Sequence, residues 1–166
     1  EENLIFVVGK TNGHIDQSIF AREILNVKKG PPPEVNLFNE KNNGENVLKL
    51  ISEGLIESAH DVSLGGIITS LSKMAIKGKK GFKLNKIKSL INKFEYYFGE
   101  DQARYIVEVK STNINKFQKI LDNNSVHYDE IGIVTKKDII IDKEPILHID
   151  ELIESNKNWL INYMEN

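Results

Sequence analysis

The chain has 166 residues, 40% hydrophobic and 28% charged, with a formal net charge of −2 and no cysteine. That length suits one domain, or one domain with a small appendage, and can build a core without staples. The missing cysteine excludes a disulfide scaffold, a thiolate metal site and a cysteine nucleophile, and near-zero charge argues against a general nucleic-acid binder.

No apolar run approaches the roughly 20 residues that span a bilayer, and the N-terminus lacks the layout of a signal peptide. The chain opens at Glu1 rather than Met, directly before a strand-like run, so residues 1–166 are expected to be a single domain cut from something longer. Lys outnumbers Arg 20 to 2. A lone Lys therefore carries little information, while Arg22 and Arg104 stand out, because a guanidinium offers a rigid fork of donors that Lys cannot copy.

Leu4–Val8 is a continuous apolar run ended by Gly9 and reads as a buried strand. Over residues 16–25, Ile19, Phe20, Glu23 and Ile24 recur at helical spacing, with Asp16 as a candidate cap. Pro31–Pro33 force an extended break. A helix is predicted over 45–54, with Val47, Leu48, Ile51 and then Leu55 on one face. Residues 55–59 turn extended and lead into His60-Asp61-Val62-Ser63-Leu64-Gly65-Gly66. The clearest helical period follows, in Ile67, Ile68, Leu71, Met74 and Ala75, and stops at Gly78.

Phe82 and Leu84 begin a short strand, and Ile87, Leu90, Ile91 and Phe94 predict a helix. Tyr105–Val109 is a strong strand. Ile114, Phe117, Ile120 and Leu121 make a helix, with Thr112 or Asn113 as its cap. Two β runs, 127–134 and 138–141, flank a turn at Lys136-Lys137, and residues 149–164 form one or two helices carrying Trp159. Short β–β connections imply antiparallel pairs. The expected class is α+β, a mainly antiparallel sheet with helices covering one face.

Val8-Gly9-Lys10-Thr11 is not a P-loop, since Leu4 stands where that motif needs glycine. The four histidines show no i, i+4 pair, which argues against a histidine metal site. Two segments carry more. In the first, Asp61 to Gly66 run from a strand into a helix. Gly65 and Gly66 let backbone approach a ligand, free N–H groups at a helix start favour phosphate, Asp61 can hold Mg²⁺, and the Ser63 hydroxyl can donate to a phosphate oxygen. The structural alternative makes Ser63 an N-cap and Asp61 a complement to the helix dipole. In the second, Phe98-Gly99-Glu100-Asp101-Gln102-Ala103-Arg104-Tyr105 bunches acidic, amide and guanidinium groups before a strand. Glu100 and Asp101 can bind Mg²⁺ or a ribose, and Arg104 can clasp a phosphate. Its alternative is a solvated turn with Arg104 in an internal ion pair.

Together these segments, followed by Ile131-Gly132-Ile133-Val134, resemble the C-terminal domain of the aminoimidazole ribonucleotide synthetase superfamily, and within it the phosphoribosylformylglycinamidine synthase family. Val8 to Thr11, Gln17-Ser18, Gly30-Pro31-Pro32 and Asn36-Leu37 agree as well. The resemblance implies a cytoplasmic, ATP- and Mg²⁺-dependent ligase of purine biosynthesis. It activates the amide oxygen of formylglycinamide ribonucleotide, and ammonia made by a glutaminase subunit displaces phosphate to give the amidine. A small accessory subunit, upstream domains and the ribonucleotide substrate are the other implied partners, with no nucleic acid and no membrane.

By motif matching, Asp61 is the expected metal ligand, and Ser63, Gly65, Gly66, Glu100, Gln102 and Arg104 are the expected nucleotide or substrate contacts. No catalytic residue is expected in this chain, and alone it should be inactive. Leu64 departs from the family, which usually has Asp there. That motivates an alternative, a non-catalytic module that holds an auxiliary nucleotide. A further alternative keeps the superfamily but changes the substrate, to selenide or hydrogenase maturation.

Overall fold

The computed structural model describes residues 2–87 and 90–165. These build a seven-stranded sheet from β1 (Leu4–Val8), β2 (Ser58–Asp61), β3 (Gly81–Leu84), β4 (Tyr105–Val109), β5 (Tyr128–Thr135), β6 (Asp138–Ile141) and β7 (Glu144–His148). Their spatial order is β2-β4-β1-β5-β3-β6-β7. The helices are α1 (Leu37–Ser52), α2 (Gly66–Gly78), α3 (Lys93–Phe98), α4 (Ile114–Asn123) and α5 (Ile149–Met164). Every strand pairing is antiparallel except β3 with β6.

β1 is apolar at every position because both of its faces are covered. Ile5 and Val7 point into a cluster with Ile67, Leu71 and Ala75 of α2, Tyr96 and Tyr97 of α3, and Ile149 of α5. Phe6 and Val8 point the other way, onto Val47 and Leu50 of α1 and Phe117 and Leu121 of α4. Helices therefore cover both faces of the sheet, not the single face expected. A strand buried on both sides loses the alternation that marks a one-sided sheet.

The turn at Lys136-Lys137 does not join a paired hairpin. β3 inserts between β5 and β6, antiparallel to the first and parallel to the second. Gly81 opens β3 in the fork, where a Cβ would collide with the Asp138 carbonyl oxygen and the Thr135 hydroxyl. The real hairpin joins β6 to β7 through Asp142 and Lys143, with φ of 52° and 72°. Two positive values are what a tight type I′ turn demands. Strand β7 escaped prediction because Glu144-Pro145 reads as a breaker.

Three helix predictions shift. α1 starts at Leu37 rather than residue 45, capped by Asn36, whose side chain accepts from the Asn39 N–H at 3.0 Å. Its buried stripe is Asn43, Asn46, Val47 and Leu50, while Leu48 and Ile51 face solvent. The segment 16–25 holds only one π-helical turn, Phe20–Ile24, and the Ala21 N–H is taken by Ser18 Oγ at 3.0 Å rather than by Asp16. The helix expected from Ile87 to Phe94 is instead α3, capped by Asn92; residues 88 and 89 of that prediction lie outside the described residues. α4 starts where expected, but Asn113 does not cap it, and its side-chain amide donates to the Leu55 carbonyl at 3.3 Å.

Candidate functional site

β2 ends at Asp61, whose backbone is held by pairing with Tyr105 and by the Val62 N–H donating to the Arg104 carbonyl at 2.9 Å. The chain then turns tightly, with the Gly66 N–H on the Ser63 carbonyl at 3.0 Å. Gly65 sits at the N-cap of α2 with φ of 83°, and Gly66 follows at 69°. Ser63 is thus not the cap, and its side chain is exposed. A Cβ on Gly66 would lie 2.6 Å from the Tyr97 carbonyl oxygen and 2.8 Å from that of Gly99. Only glycine lets α2 start this close to the end of α3.

The second segment reaches across to the first. Glu100 Oε1 accepts from the Gly65 N–H and the Ile19 N–H, both at 2.8 Å. One carboxylate therefore ties the glycine turn to the loop after β1. The neighbouring Asp101 carboxylate, 6% exposed, accepts from three successive backbone groups, Asn12, Gly13 and His14, at 3.1, 2.9 and 3.1 Å.

Arg104 lies beneath, 1% exposed. Its Nη2 donates to the Gly99 carbonyl at 2.7 Å, Nε to the Asp101 carbonyl at 3.2 Å, and Nη1 to Thr11 Oγ1 at 3.2 Å, with Asp101 Oδ2 3.6 Å from Nη1. Burial lowers its pKa, and the charge of Asp101 chiefly opposes that shift. The fork is spent inside the protein, as the internal ion-pair alternative had it.

What remains open is a cleft of about 260 Å³ where the two segments meet. Asp61, Ser63 and Gln102 face it with exposed side chains, and Leu64 stands beside them. Glu100 and Arg104 form part of its wall with the internal bonds just described. Asp61 Oδ1 lies 3.3 Å from His60 Nδ1. Glu40 and Tyr105 also line the cleft. Burial raises the Tyr105 pKa, and the charges of Glu40 and Asp61 push it further the same way. Glu40 was missed because α1 was placed eight residues too late; Asn36 before Leu37 was the capping signal that could have found it. A larger polar cleft of about 740 Å³, lined by Lys10, Asn12, His14 and Asn39 among others, shares Gln102 and Ala103 with the first.

Among the described residues, no three His, Cys, Asp or Glu side chains converge as a metal cage. Asp61 alone is the kind of ligand Mg²⁺ takes when phosphates and water supply its other positions. The donor set suits an ion that arrives with a nucleotide, and does not suit a resident metal.

Residues 1–143 match the family described as AIR synthase related protein, C-terminal domain. The chain is 62% identical over 165 residues to phosphoribosylformylglycinamidine synthase subunit PurL of Pelagibacter ubique, an alignment of 99% of this chain and 23% of that protein. With the same subunit of Bartonella quintana it is 36% identical over 160 residues, 96% of this chain and 22% of that one. Among solved structures, T. maritima PurL complexed with FGAR superposes with a TM-score of 0.72 at 19% identity, over 91% of this chain and 28% of that chain. Thiamine-monophosphate kinase from Stenotrophomonas maltophilia gives 0.57 at 13%, over 87% and 51%. At such identities the superpositions show a shared fold. The chain spans less than a quarter of the length of these curated relatives.

Proposed function

The chain belongs to the AIR synthase related protein, C-terminal domain family, and from that membership we propose that it serves as the C-terminal domain of a phosphoribosylformylglycinamidine synthase. In this reading the complete enzyme is a cytoplasmic ligase of purine biosynthesis. It converts formylglycinamide ribonucleotide to the amidine with ATP, Mg²⁺ and ammonia. The observation that carries the proposal is the 62% identity over 165 residues to the Pelagibacter subunit. The absence of cysteine from these 166 residues means that the thiol of a glutaminase is supplied elsewhere. That leaves another domain or a separate subunit as its source; the partners in this reading are a glutaminase subunit and a small accessory subunit.

The cleft assigns parts to the chain's own residues. Asp61 would hold a Mg²⁺ ion that accompanies the nucleotide, and such an ion would supply charge compensation for the phosphoryl oxygens. The exposed Ser63 hydroxyl would donate to a phosphate oxygen, and Gln102 would supply an amide to the same cleft. The N–H groups of Gly65 and Gly66 are already given to Glu100 and Ser63. The two glycines therefore shape the turn and leave phosphate binding to side chains. Glu100 and Arg104 are positioning residues, which hold the loop after β1 against the glycine turn.

The test is amidine formation by the complete polypeptide with formylglycinamide ribonucleotide, ATP, Mg²⁺ and ammonia. The expected result is product with the complete enzyme and none with residues 1–166 alone. No product from the complete enzyme would refute the assignment. A second reading is favoured by Leu64 and by the internal engagement of Glu100 and Arg104: the cleft holds an auxiliary nucleotide and takes no part in turnover. Under it, Asp61→Ala in the complete enzyme lowers nucleotide occupancy and leaves kcat within about twofold; a drop of about a hundredfold in kcat, the range of a lost transition-state contact, sinks it.

A further inference from the structure

A separate cavity of about 550 Å³ lies under the C-terminal half of α2. It shares no described lining residue with the Asp61 cleft or with the polar cleft beside that one. On the sheet side it is lined by Ile5 of β1, Phe82 of β3 and Val134 of β5, and on the helix side by Leu71, Met74 and Ala75 of α2. All six belong to the main core cluster or pack against it. Protein interiors are close-packed, so an apolar space of this size between a helix and a sheet has room for the body of a guest. Its volume falls in the range of roughly 300–1,000 Å³ that small-molecule pockets take.

The polar groups at this cavity are of one kind. Lys73 and Lys77 stand one turn apart on α2, and Lys80 follows just past its end. All three are exposed, and among the described residues none has an ion-pair partner. Like charges four positions apart on a helix repel. Only Lys77 lies in the last turn, where a cation complements the helix dipole. The lining carboxylate, Glu108, is engaged elsewhere: Oε1 accepts from Asn3 Nδ2 at 2.7 Å and Oε2 from Ser58 Oγ at 2.8 Å. His60 also lines the space, with its Nδ1 2.6 Å from the Asp61 carbonyl oxygen. One lysine in this lysine-rich chain says little. Three unpaired at the edge of one apolar cavity call for an anion.

The guest therefore needs an apolar body and a negative head. Gly78, the last residue of α2, lines the same space. The helix carbonyls near it carry partial negative charge, which opposes a dianion such as phosphate and tolerates a monoanion. We propose that this cavity binds a small amphiphilic carboxylate, with its aliphatic chain between α2 and the sheet and its head among Lys73, Lys77 and Lys80.

The test is titration calorimetry of the complete polypeptide with octanoate, octanol and octyltrimethylammonium, each below the concentration at which it forms micelles. The readout is binding alone and does not depend on amidine formation. The expected result is saturable binding of octanoate about tenfold tighter than octanol, the few-fold worth of each exposed charge taken together, and no binding of the cation. A Lys73→Gln, Lys77→Gln, Lys80→Gln variant should bring octanoate down to the level of octanol, and Ala75→Phe should fill the space and abolish both. No saturable binding of octanoate would overturn the proposal and leave the cavity to a packing segment of the enzyme's other domains. Equal affinity for all three probes, or octanoate affinity unchanged in the triple lysine variant, would overturn it as well. Should Ala75→Phe fail to fold, the lysine variant, changed only at exposed positions, still decides.

Discussion

A guanidinium with 1% exposure has no water to turn to, so the protein must supply its partners. Arg104 finds them in Thr11, Gly99 and Asp101. Arg104→Ala should therefore cost about 3–5 kcal/mol in urea unfolding, because it removes the charge beside the buried Asp101 carboxylate and the donor to the Gly99 and Asp101 carbonyls and the Thr11 hydroxyl. Arg104→Lys should recover little, since an ammonium cannot span three acceptors. A loss under about 1 kcal/mol for either would contradict the account. The scarcity of arginine made Arg104 conspicuous in the sequence. Its role was not legible there, because Thr11 is 93 positions away and ligand and internal partner ask for the same side chain. Asp61 and Ser63 are the opposite case: each was singled out by its neighbours in the chain, and each lies open at the cleft.

Two tyrosines give a pH signature at the same scale. Burial raises both the Tyr96 and the Tyr97 phenol from 10.0 to about 12. A raised phenol pKa means that the folded state holds its proton more tightly than the unfolded state. The stabilisation is complete below pH 10, and is lost as pH rises from 10 towards 12. Stability measured across that window should fall more steeply in the wild type than in a Tyr96→Phe, Tyr97→Phe double variant. Identical slopes would show that these phenols titrate normally.

At the scale of elements, α1 separates hydropathy from burial. Leu50 is 0% exposed and Leu48 is 65% exposed, two residues apart on one helix. Leu50→Ala should cost about 2–5 kcal/mol, and Leu48→Ala should stay within about 0.5 kcal/mol. The reverse order would place the helix in the register first inferred from Val47, Leu48 and Ile51. That inference failed because Asn43 and Asn46 lie on the buried stripe. Asn43 earns its place by donating to the Ala103 carbonyl at 2.8 Å, a bond no local pattern reveals. α2, whose buried positions are mostly aliphatic, was legible nearly to the residue. Its start is a sharper test: Gly66→Ala needs a positive φ and meets two carbonyl oxygens, so it should cost at least about 2 kcal/mol. Gly65→Ala also needs a positive φ and meets the Thr69 Oγ1 and its backbone-anchored Cβ, so it should be destabilising as well.

For the molecule as a whole, sheet order was the part hidden from sequence. Strand positions follow from local apolar runs, and most were found. That β3 slots between β5 and β6 depends on a glycine fitting a fork made more than 50 residues later, which a short-turn rule reads as a hairpin. The same insertion brings the ends of β3 and β6 together, with Leu84 opposite Ile141. On the other side of the sheet, β2 and β4 pair so that Asp61 lies opposite Tyr105, and two segments some 35 residues apart become one cleft. The central claim is that this cleft handles nucleotide for an amidine-forming ligase. The most direct measurement takes the complete enzyme, wild type and Asp61→Asn, and follows amidine formation together with nucleotide retained after gel filtration in Mg²⁺. The account predicts amidine from the wild type and, in Asp61→Asn, loss of the nucleotide bound at this domain with folding intact. Absence of amidine from the wild type, or unchanged nucleotide in Asp61→Asn, would contradict it.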